Sequence, residues 1–341
     1  MKIGIHKREN SYSDEWIEYC NKSGIPYKIV NCYDSNILDQ LHDCDALMWH
    51  FHHAIPQDIL FATQLMHAVA SSGKYVFPDF NTMWHFDDKI AQKYVLEAID
   101  APLVPSYVFF SKKEALEWIK TTQFPKVFKL RVGASSQNVR LIKSRREARK
   151  LVRKAFCRGF IQYNSWMNLK ESIRKYGIGE TKILDILKAF IRIGYKTEFE
   201  KFSTKEKGYV YFQDFIANND SDIRIVVVDQ KAFGAKRFVR KNDFRASGSH
   251  VASHDPSLIS HETLRIALDV AKKLGLQCVA YDFVYENGKP LIVEFSYGTT
   301  AAAYKPCPGY WDSDLNFHPG EFNFCDWLVD NAVEAVNNKK H

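Results

Sequence analysis

The sequence predicts an α/β and α+β protein: a parallel-sheet domain over the first hundred residues, then a larger region of hairpins and helices. Three observations predict it. Short apolar runs alternate with helical stretches from residue 2 to residue 99, a rhythm that implies a parallel sheet covered on both faces. Phe124 to Ile142 reads as a strand, a small-residue loop and a second strand. Val279 to Gly298 reads as two apolar strands joined by Asn287-Gly288, the strongest short-range hairpin signal.

Residues 2 to 6 are expected as a strand, 13 to 23 as a helix, and Pro26 to Asn31 and Ala46 to Trp49 as further strands. Gln57 to Ser71 is an amphipathic helix and Lys74 to Pro78 a fourth strand. Ligands of such sheets sit at the carboxyl ends of the strands. His50, His52 and His53 follow the third strand directly, so they either meet a substrate or form hydrogen-bonded surface. One helix is expected over Thr82 to Ile99, and Ala101-Pro-Leu-Val-Pro105 ends the first domain. Ser111-Lys-Lys-Glu114 and Ser144-Arg-Arg-Glu147 are capping boxes that open two helices. Ile183, Ile186, Leu187, Phe190 and Ile193 recur at helical spacing. Tyr209 to Phe215 and Ile225 to Val228 are strands, Thr263 to Leu274 a helix, and a final helix runs from Cys325 to Asn337.

A chain of 341 residues, 46% hydrophobic and 26% charged, suits a globular protein of two or three domains. No apolar run approaches the roughly 20 residues that a spanning helix needs. Met1-Lys-Ile-Gly-Ile-His lacks the long apolar centre of a secretion signal, so a cytoplasmic protein is expected. Seven scattered cysteines without a CxxC pair point to reduced thiols and away from a disulfide frame or a structural zinc. The net charge of +7 admits nucleic acid, an anionic membrane surface or a phosphate-bearing ligand. Arg145, Arg146, Arg149, Lys150, Arg153 and Lys154 crowd one helix. That helix is a nucleic-acid patch, an interfacial membrane helix, or the solvated face of an insertion whose apolar stripe packs on its own domain.

Three groups of residues carry chemistry. Side chains alternate faces along a strand, so Glu294 and Ser296 share a face and the hairpin brings Asp282 beside them. Three oxygens then meet, either as a site or as solvent-facing polar residues. The loop Gly133-Ala-Ser135-Ser136-Gln137 lets backbone N–H groups approach an anion, with Lys129 as countercharge; the same residues also make a plain hairpin turn. Lys236, Arg237, Arg240 and Arg245, followed by a Ser/Gly loop, form a candidate anion clamp.

The order Asp88-Lys89, Pro125-x-x-x-Lys129, small-residue loop, Gln213-Asp214-Phe215-Ile216, Asp222-Ile-Arg224, Lys236-Arg237, Phe244-Arg245-Ala-Ser247, Asp282 and Glu294-Phe-Ser296 resembles the ATP-grasp superfamily. The nearest branch is that of glutathione synthetases and the glutamate ligases that modify a ribosomal protein. The resemblance implies an N-terminal Rossmann-like pre-ATP-grasp domain over 1–104, then a two-lobed ATP-grasp fold with a helical insertion. Its N-lobe would be 105–212, with the insertion at about 160–206, and its C-lobe 213–341 with the metal site; ATP would lie between the lobes.

The resemblance also implies roles. Lys89 and Lys129 would hold ATP phosphates, with Gly133, Ser135 and Ser136 in the flap above them. Gln213, Asp214, Phe215 and Ile216 would line the adenine pocket, and Asp222 would take the ribose. Lys236, Arg237 and Arg245 would meet the transferred phosphoryl group and an acyl phosphate. Asp282, Glu294 and Ser296 would bind Mg²⁺, two ions in all, with Mn²⁺ as a substitute. The implied activity is carboxylate–amine ligation of small molecules through an acyl phosphate. Phe244-Arg-Ala-Ser-Gly resembles ATP-grasp proteins associated with bacterial surface polysaccharides, which implies a sugar-acid acceptor. This chemistry needs no nucleic acid and no membrane span, and it leaves a homodimer open.

Three positions depart from the family pattern. Ser296 stands where the family carries Asn, Asn138 where relatives carry Gly, and Ser247 where the nearest branch has Asn. A non-catalytic ATP-binding regulatory module and a nucleic-acid or membrane-surface binder are therefore kept as alternatives.

Overall fold

The computed structural model describes residues 1–133, 138–162, 169, 172–173, 176, 183–191, 204–239 and 251–339. The chain divides into two compact units. The first comprises Met1–His52, Gln57–Val104 and Ile216–His341, the second His53–Pro56 and Pro105–Phe215.

The first unit begins with β1 (Ile3–His6), α1 (Tyr12–Ser23), β2 (Tyr27–Val30), α2 (Ile37–Gln40), β3 (Ala46–Met48), α3 (Pro56–Ser71), β4 (Tyr75–Phe77), α4 (Phe80–Met83) and α5 (Lys89–Ala98). Its strands pair in parallel in the order β2-β1-β3-β4, the sheet that the strand–helix alternation predicts. The single helix expected over Thr82 to Ile99 is instead two. Asp87 sits at a φ of 53°, and the Asp88 carboxylate accepts from the N–H groups of Ile90 and Ala91, so a new helix starts at Lys89.

The second unit contains β5 (Ser106–Phe109), α6 (Lys112–Thr121), β6 (Lys126–Lys129), β7 (Arg140–Ile142), α7 (Arg145–Ala155), α8 (Ile183–Ile191) and β8 (Val210–Asp214). The serine half of each capping box is in place: Ser111 and Ser144 accept from the N–H groups of Glu114 and Glu147, while the Glu147 carboxylate accepts from Lys143 N–H at 2.8 Å, one residue before the cap. The strands form an antiparallel sheet in the order β5-β8-β6-β7. Ala115 and Ile119 of α6 and Ala148, Leu151, Val152 and Ala155 of α7 pack in one core with Phe128, Val210 and Phe212 of that sheet.

The first unit resumes with β9 (Ser221–Val228), β10 (Lys231–Phe238), β11 (Ala252–Ser253), α9 (His261–Leu274), β12 (Cys278–Glu286), β13 (Lys289–Ser296), β14 (Gly309–Trp311), β15 (Phe317–Pro319) and α10 (Phe324–Asn338). β9 starts four residues before the expected Ile225, so Asp222 and Arg224 are strand residues. The seven strands pair antiparallel in the order β13-β12-β9-β10-β14-β15, with β11 beside β10. Both faces of this sheet are covered. Val226 and Val228 join the core around the parallel sheet and α10, whereas Ile225 and Val227 join the core under α9. The period-two alternation of β9 divides its apolar residues between two cores.

Candidate functional site

The hairpin of β12 and β13 turns through Asn287 and Gly288, both at positive φ (52° and 80°), the conformation that Asn-Gly adopts most readily. Its register sets Ala280 opposite Ser296 and Asp282 opposite Glu294, then slips by one residue before Phe283 meets Ile292. Directly opposed residues share a sheet face, so Asp282, Glu294 and Ser296 do lie on one face. Across the other edge of β12, Asp282 opposes Arg224 of β9, and β10 sets Arg237 opposite Asp222. Asp222, Arg224 and Arg237 thus join the same face.

The cations and anions there are paired. Arg224 donates Nε and Nη2 to the two Asp282 oxygens at 2.6 and 2.7 Å. Arg237 donates Nε and Nη2 to Asp222 at 2.6 Å each, and its Nη2 also lies 2.8 Å from Asp282 Oδ2. Asp282 is buried, and burial alone would raise its carboxyl; Arg224 and Arg237 outweigh that and hold it well below the usual carboxylate range. Asp222 is pushed up to about 6 by burial and by the Asp282 charge, against the pull of Arg237 and Arg224. Of the two carboxylates that share Arg237, Asp282 keeps the negative charge more firmly.

Lys89, buried at the start of α5, places Nζ 3.6 Å from Glu294 Oε2, and the Glu294 side chain is 34% exposed. The same helix is tied to β13 by Gln92, whose Oε1 accepts from Phe295 N–H at 3.3 Å. Ser296 Oγ folds back on its own loop, accepting from Gly298 N–H at 3.2 Å and donating to Gly298 O at 3.4 Å. Lys236 Nζ lies 4.0 Å from Asp220 Oδ1.

In the second unit, Lys129 is buried at the end of β6. Gln213 is buried on β8 and donates to Ser106 Oγ at 3.1 Å, while Asp214 binds Lys126. Phe215 and Ile216 follow, half-buried. Past Lys129 the backbone is held by Arg131, whose N–H donates to Tyr209 Oη at 2.7 Å; Tyr209 in turn donates to buried Glu206 at 2.6 Å. Gly133 has a φ of 115°, in the region that favours glycine. Asn138 has a φ of 59° and donates Nδ2 to Gln162 O at 2.6 Å, so it fills a position where a Gly is ordinarily used. Ser135, Ser136, Arg245 and Ser247 lie outside the described residues.

The donor set fits magnesium. Mg²⁺ takes oxygen ligands and is usually held by one or two carboxylates together with substrate phosphates, not by an all-protein cage. Asp282 and Glu294 supply two adjacent carboxylates, and among the described residues no group of three or more His, Cys, Asp or Glu converges. A carboxylate has about four acceptor sites; the arginines occupy three on Asp282, which leaves one. Sequence reasoning named Arg224 within Asp222-Ile-Arg224 but gave it no role. Its signal was the spacing Asp222-x-Arg224, which puts an acid and a base on one strand face.

A RimK-like ATP-grasp domain matches residues 196–303. The chain is 23% identical over 270 residues to the alpha-aminoadipate–LysW ligase LysX of Saccharolobus solfataricus, covering 79% of this chain and 78% of that protein. Its fold is similar to that of D-alanine–D-alanine ligase from Bacillus anthracis, solved with ATP (TM-score 0.57, 11% identity, 99% of each chain). It is also similar to the RimK-domain ATP-grasp protein of Sphaerobacter thermophilus (TM-score 0.54, 15% identity, 98% of this chain and 100% of that one). Motif order and sheet arrangement agree with these likenesses: residues 196–303 match a RimK-like ATP-grasp domain, and the chain is similar to ATP-grasp ligases.

Proposed function

We propose that the protein is an ATP- and magnesium-dependent carboxylate–amine ligase that activates its carboxylate substrate as an acyl phosphate. The observation that carries this reading is the Asp282–Glu294 cross-strand pair with Lys89 at 3.6 Å from Glu294. It sets hard oxygen donors beside a buried ammonium on one sheet face. Magnesium, when bound, neutralises charge on phosphate oxygens during phosphoryl transfer; Asp282 and Glu294 would hold it, two ions or Mn²⁺ included, with Ser296 acting through water.

The protein's own residues then have distinct tasks. Lys89 and Lys129 hold the phosphates, and backbone N–H groups at Gly133, Ser135 and Ser136 cover them. Gln213, Asp214, Phe215 and Ile216 line the adenine. Arg237 is gripped by Asp222 and Asp282 through Nε and Nη2, which leaves the two N–H donors of Nη1 for the transferred phosphoryl group. Asp222 thus positions Arg237, and its remaining acceptor sites serve the ribose contact that the resemblance implies. Lys236 and Arg245 stabilise the acyl phosphate and the oxyanion formed when the amine attacks its carbonyl carbon and phosphate leaves.

The sequence Phe244-Arg-Ala-Ser-Gly supports a sugar acid as the carboxylate. Seven unpaired cysteines support a reducing, cytoplasmic compartment. The test is ADP release measured against pools of uronic acids, amino acids and peptides. The productive pair should need Mg²⁺, and Glu294→Gln and Lys129→Ala should each cost at least about 100-fold in rate. Substrate-dependent release that persists in Glu294→Gln would end the site assignment. ATP binding without turnover on any pool would favour the non-catalytic module.

A further inference from the structure

The two units carry opposite charge. The second has 25 Lys and Arg against 10 Asp and Glu, a formal +15, whereas the first has 22 against 30, a formal −8. One triphosphate, met by Lys129 and a few backbone amides, accounts for little of that excess. Much of it stands on α7, where Arg145, Arg146, Arg149, Lys150, Arg153 and Lys154 are all exposed. Among the described residues none of these six has an ion-pair partner, although Lys154 lies over the Phe160 ring at 4.5 Å.

The same unit exposes apolar surface. α8 reads Ile-Leu-Asp-Ile-Leu-Lys-Ala-Phe-Ile, and Ile183, Leu184, Leu187, Phe190 and Ile191 are each more than half exposed, up to 64% for Phe190. The expectation that this stripe packs on its own domain is not met among the described residues. Lys182 and Arg192 flank the helix in sequence and Lys188 lies within it. Exposed apolar surface of this kind marks an interaction site, and Lys182, Lys188 and Arg192 on or beside α8 in sequence, with the exposed cations that α7 adds to the same unit, favour a partner that is both apolar and anionic.

We propose that the second unit docks on an anionic phospholipid surface, with α8 seated at the headgroup–acyl boundary and α7 supplying electrostatic attraction. Both requirements are met by one partner: acyl chains accept the five apolar side chains, and headgroup phosphates attract the cations. Nucleic acid would answer the charge but has no slot for α8. A second copy, met through the same unit, would set +15 against +15. None of the described helices is long and apolar enough to cross a membrane, so the contact is peripheral. This inference is independent of the proposed ligase activity.

The test is co-sedimentation of the full chain with vesicles of phosphatidylcholine alone or with about 30 mol% phosphatidylglycerol. Binding is expected only with phosphatidylglycerol, and it should fall about tenfold or more between low and physiological salt. Leu187→Ser/Phe190→Ser should weaken it at least about 100-fold, and Arg146→Ser/Arg149→Ser/Arg153→Ser by about 10- to 100-fold at low salt. Circular dichroism checks that the variants fold, and slowed hydrogen exchange of α8 amides on vesicles tests the wild-type protein directly. Absent or lipid-indifferent binding overturns the proposal. So does binding to RNA alone, or light scattering that shows a dimer lost in Leu187→Ser/Phe190→Ser with no vesicle binding.

Discussion

The charged residues of β9, β10 and β12 and those of α7 are the same kinds of group in opposite circumstances. On the sheet, Asp282 is buried, Asp222, Arg224 and Arg237 are partly buried, and every one is paired within 2.8 Å. On α7 six cations stand in solvent with one acid, Glu147, on the helix. The difference follows from solvation. A buried charge without a partner costs several kcal/mol, so the sheet tolerates none; an exposed one is hydrated and screened, so the helix can hold many. Structure near the sheet charges is therefore sensitive to single substitutions and to pH, whereas α7 is free to carry charge that serves something outside the molecule.

Substitutions should expose this contrast. Asp282→Ala strands the Arg224 guanidinium in the sheet, leaves Arg237 to Asp222 alone, and is expected to lower stability by about 3 to 5 kcal/mol, read from the urea midpoint. A change under 1 kcal/mol would mean the cluster is hydrated like α7.

The next effect is a pH dependence. His85 is buried against Phe295, its ring centroid 4.6 Å away, and among the described residues neither ring nitrogen has a hydrogen-bond partner. Burial lowers it from 6.5 to about 4. The folded state thus refuses a proton that the unfolded state takes up. Its contribution is present above pH 6.5 and is lost as pH falls toward about 4, by about 3 kcal/mol in all. Unfolding measured across that window should show the loss in the wild-type protein and a shallower slope in His85→Leu.

Gly234 tests how tightly β10 must approach β9. A Cβ there would sit 2.2 Å from Arg224 O and 2.9 Å from Ile225 Cδ1, a backbone clash that no rotamer relieves. Gly234→Ala is expected to cost about 1 to 3 kcal/mol and to lower ADP release, because β10, pushed away from β9, carries Lys236 and Arg237. The smallest effect belongs to α7: Arg146→Ser/Arg149→Ser/Arg153→Ser should change the melting temperature by no more than about 0.5 kcal/mol allows. A larger loss would show that these cations have a structural task.

How much of this was legible depended on the range over which each feature is set. The Asn287-Gly288 turn, the two capping boxes and the parallel sheet followed from signals a few residues long. Asp282, Glu294 and Ser296 sharing a face followed from strand alternation. Local signals also misled. The helical pattern through Thr82 to Ile99 hid the break at Asp87-Asp88, because an aspartate before an apolar run is equally a helix residue or a cap. Asn138 stands as a departure from the Gly of relatives, yet its φ of 59° shows it holding the left-handed conformation with a side-chain bond to Gln162.

The sequence by itself determined the element types, the hairpin and the candidate chemistry, since turn preference, capping and periodicity act within about four residues. Only the tertiary structure decided which charges meet. Arg224 reaches Asp282 across 58 residues of chain, and Lys89 reaches Glu294 of β13 from the helix α5. Those encounters depend on strand register and helix docking, which arise from packing two cores at once and leave no short-range mark in the sequence.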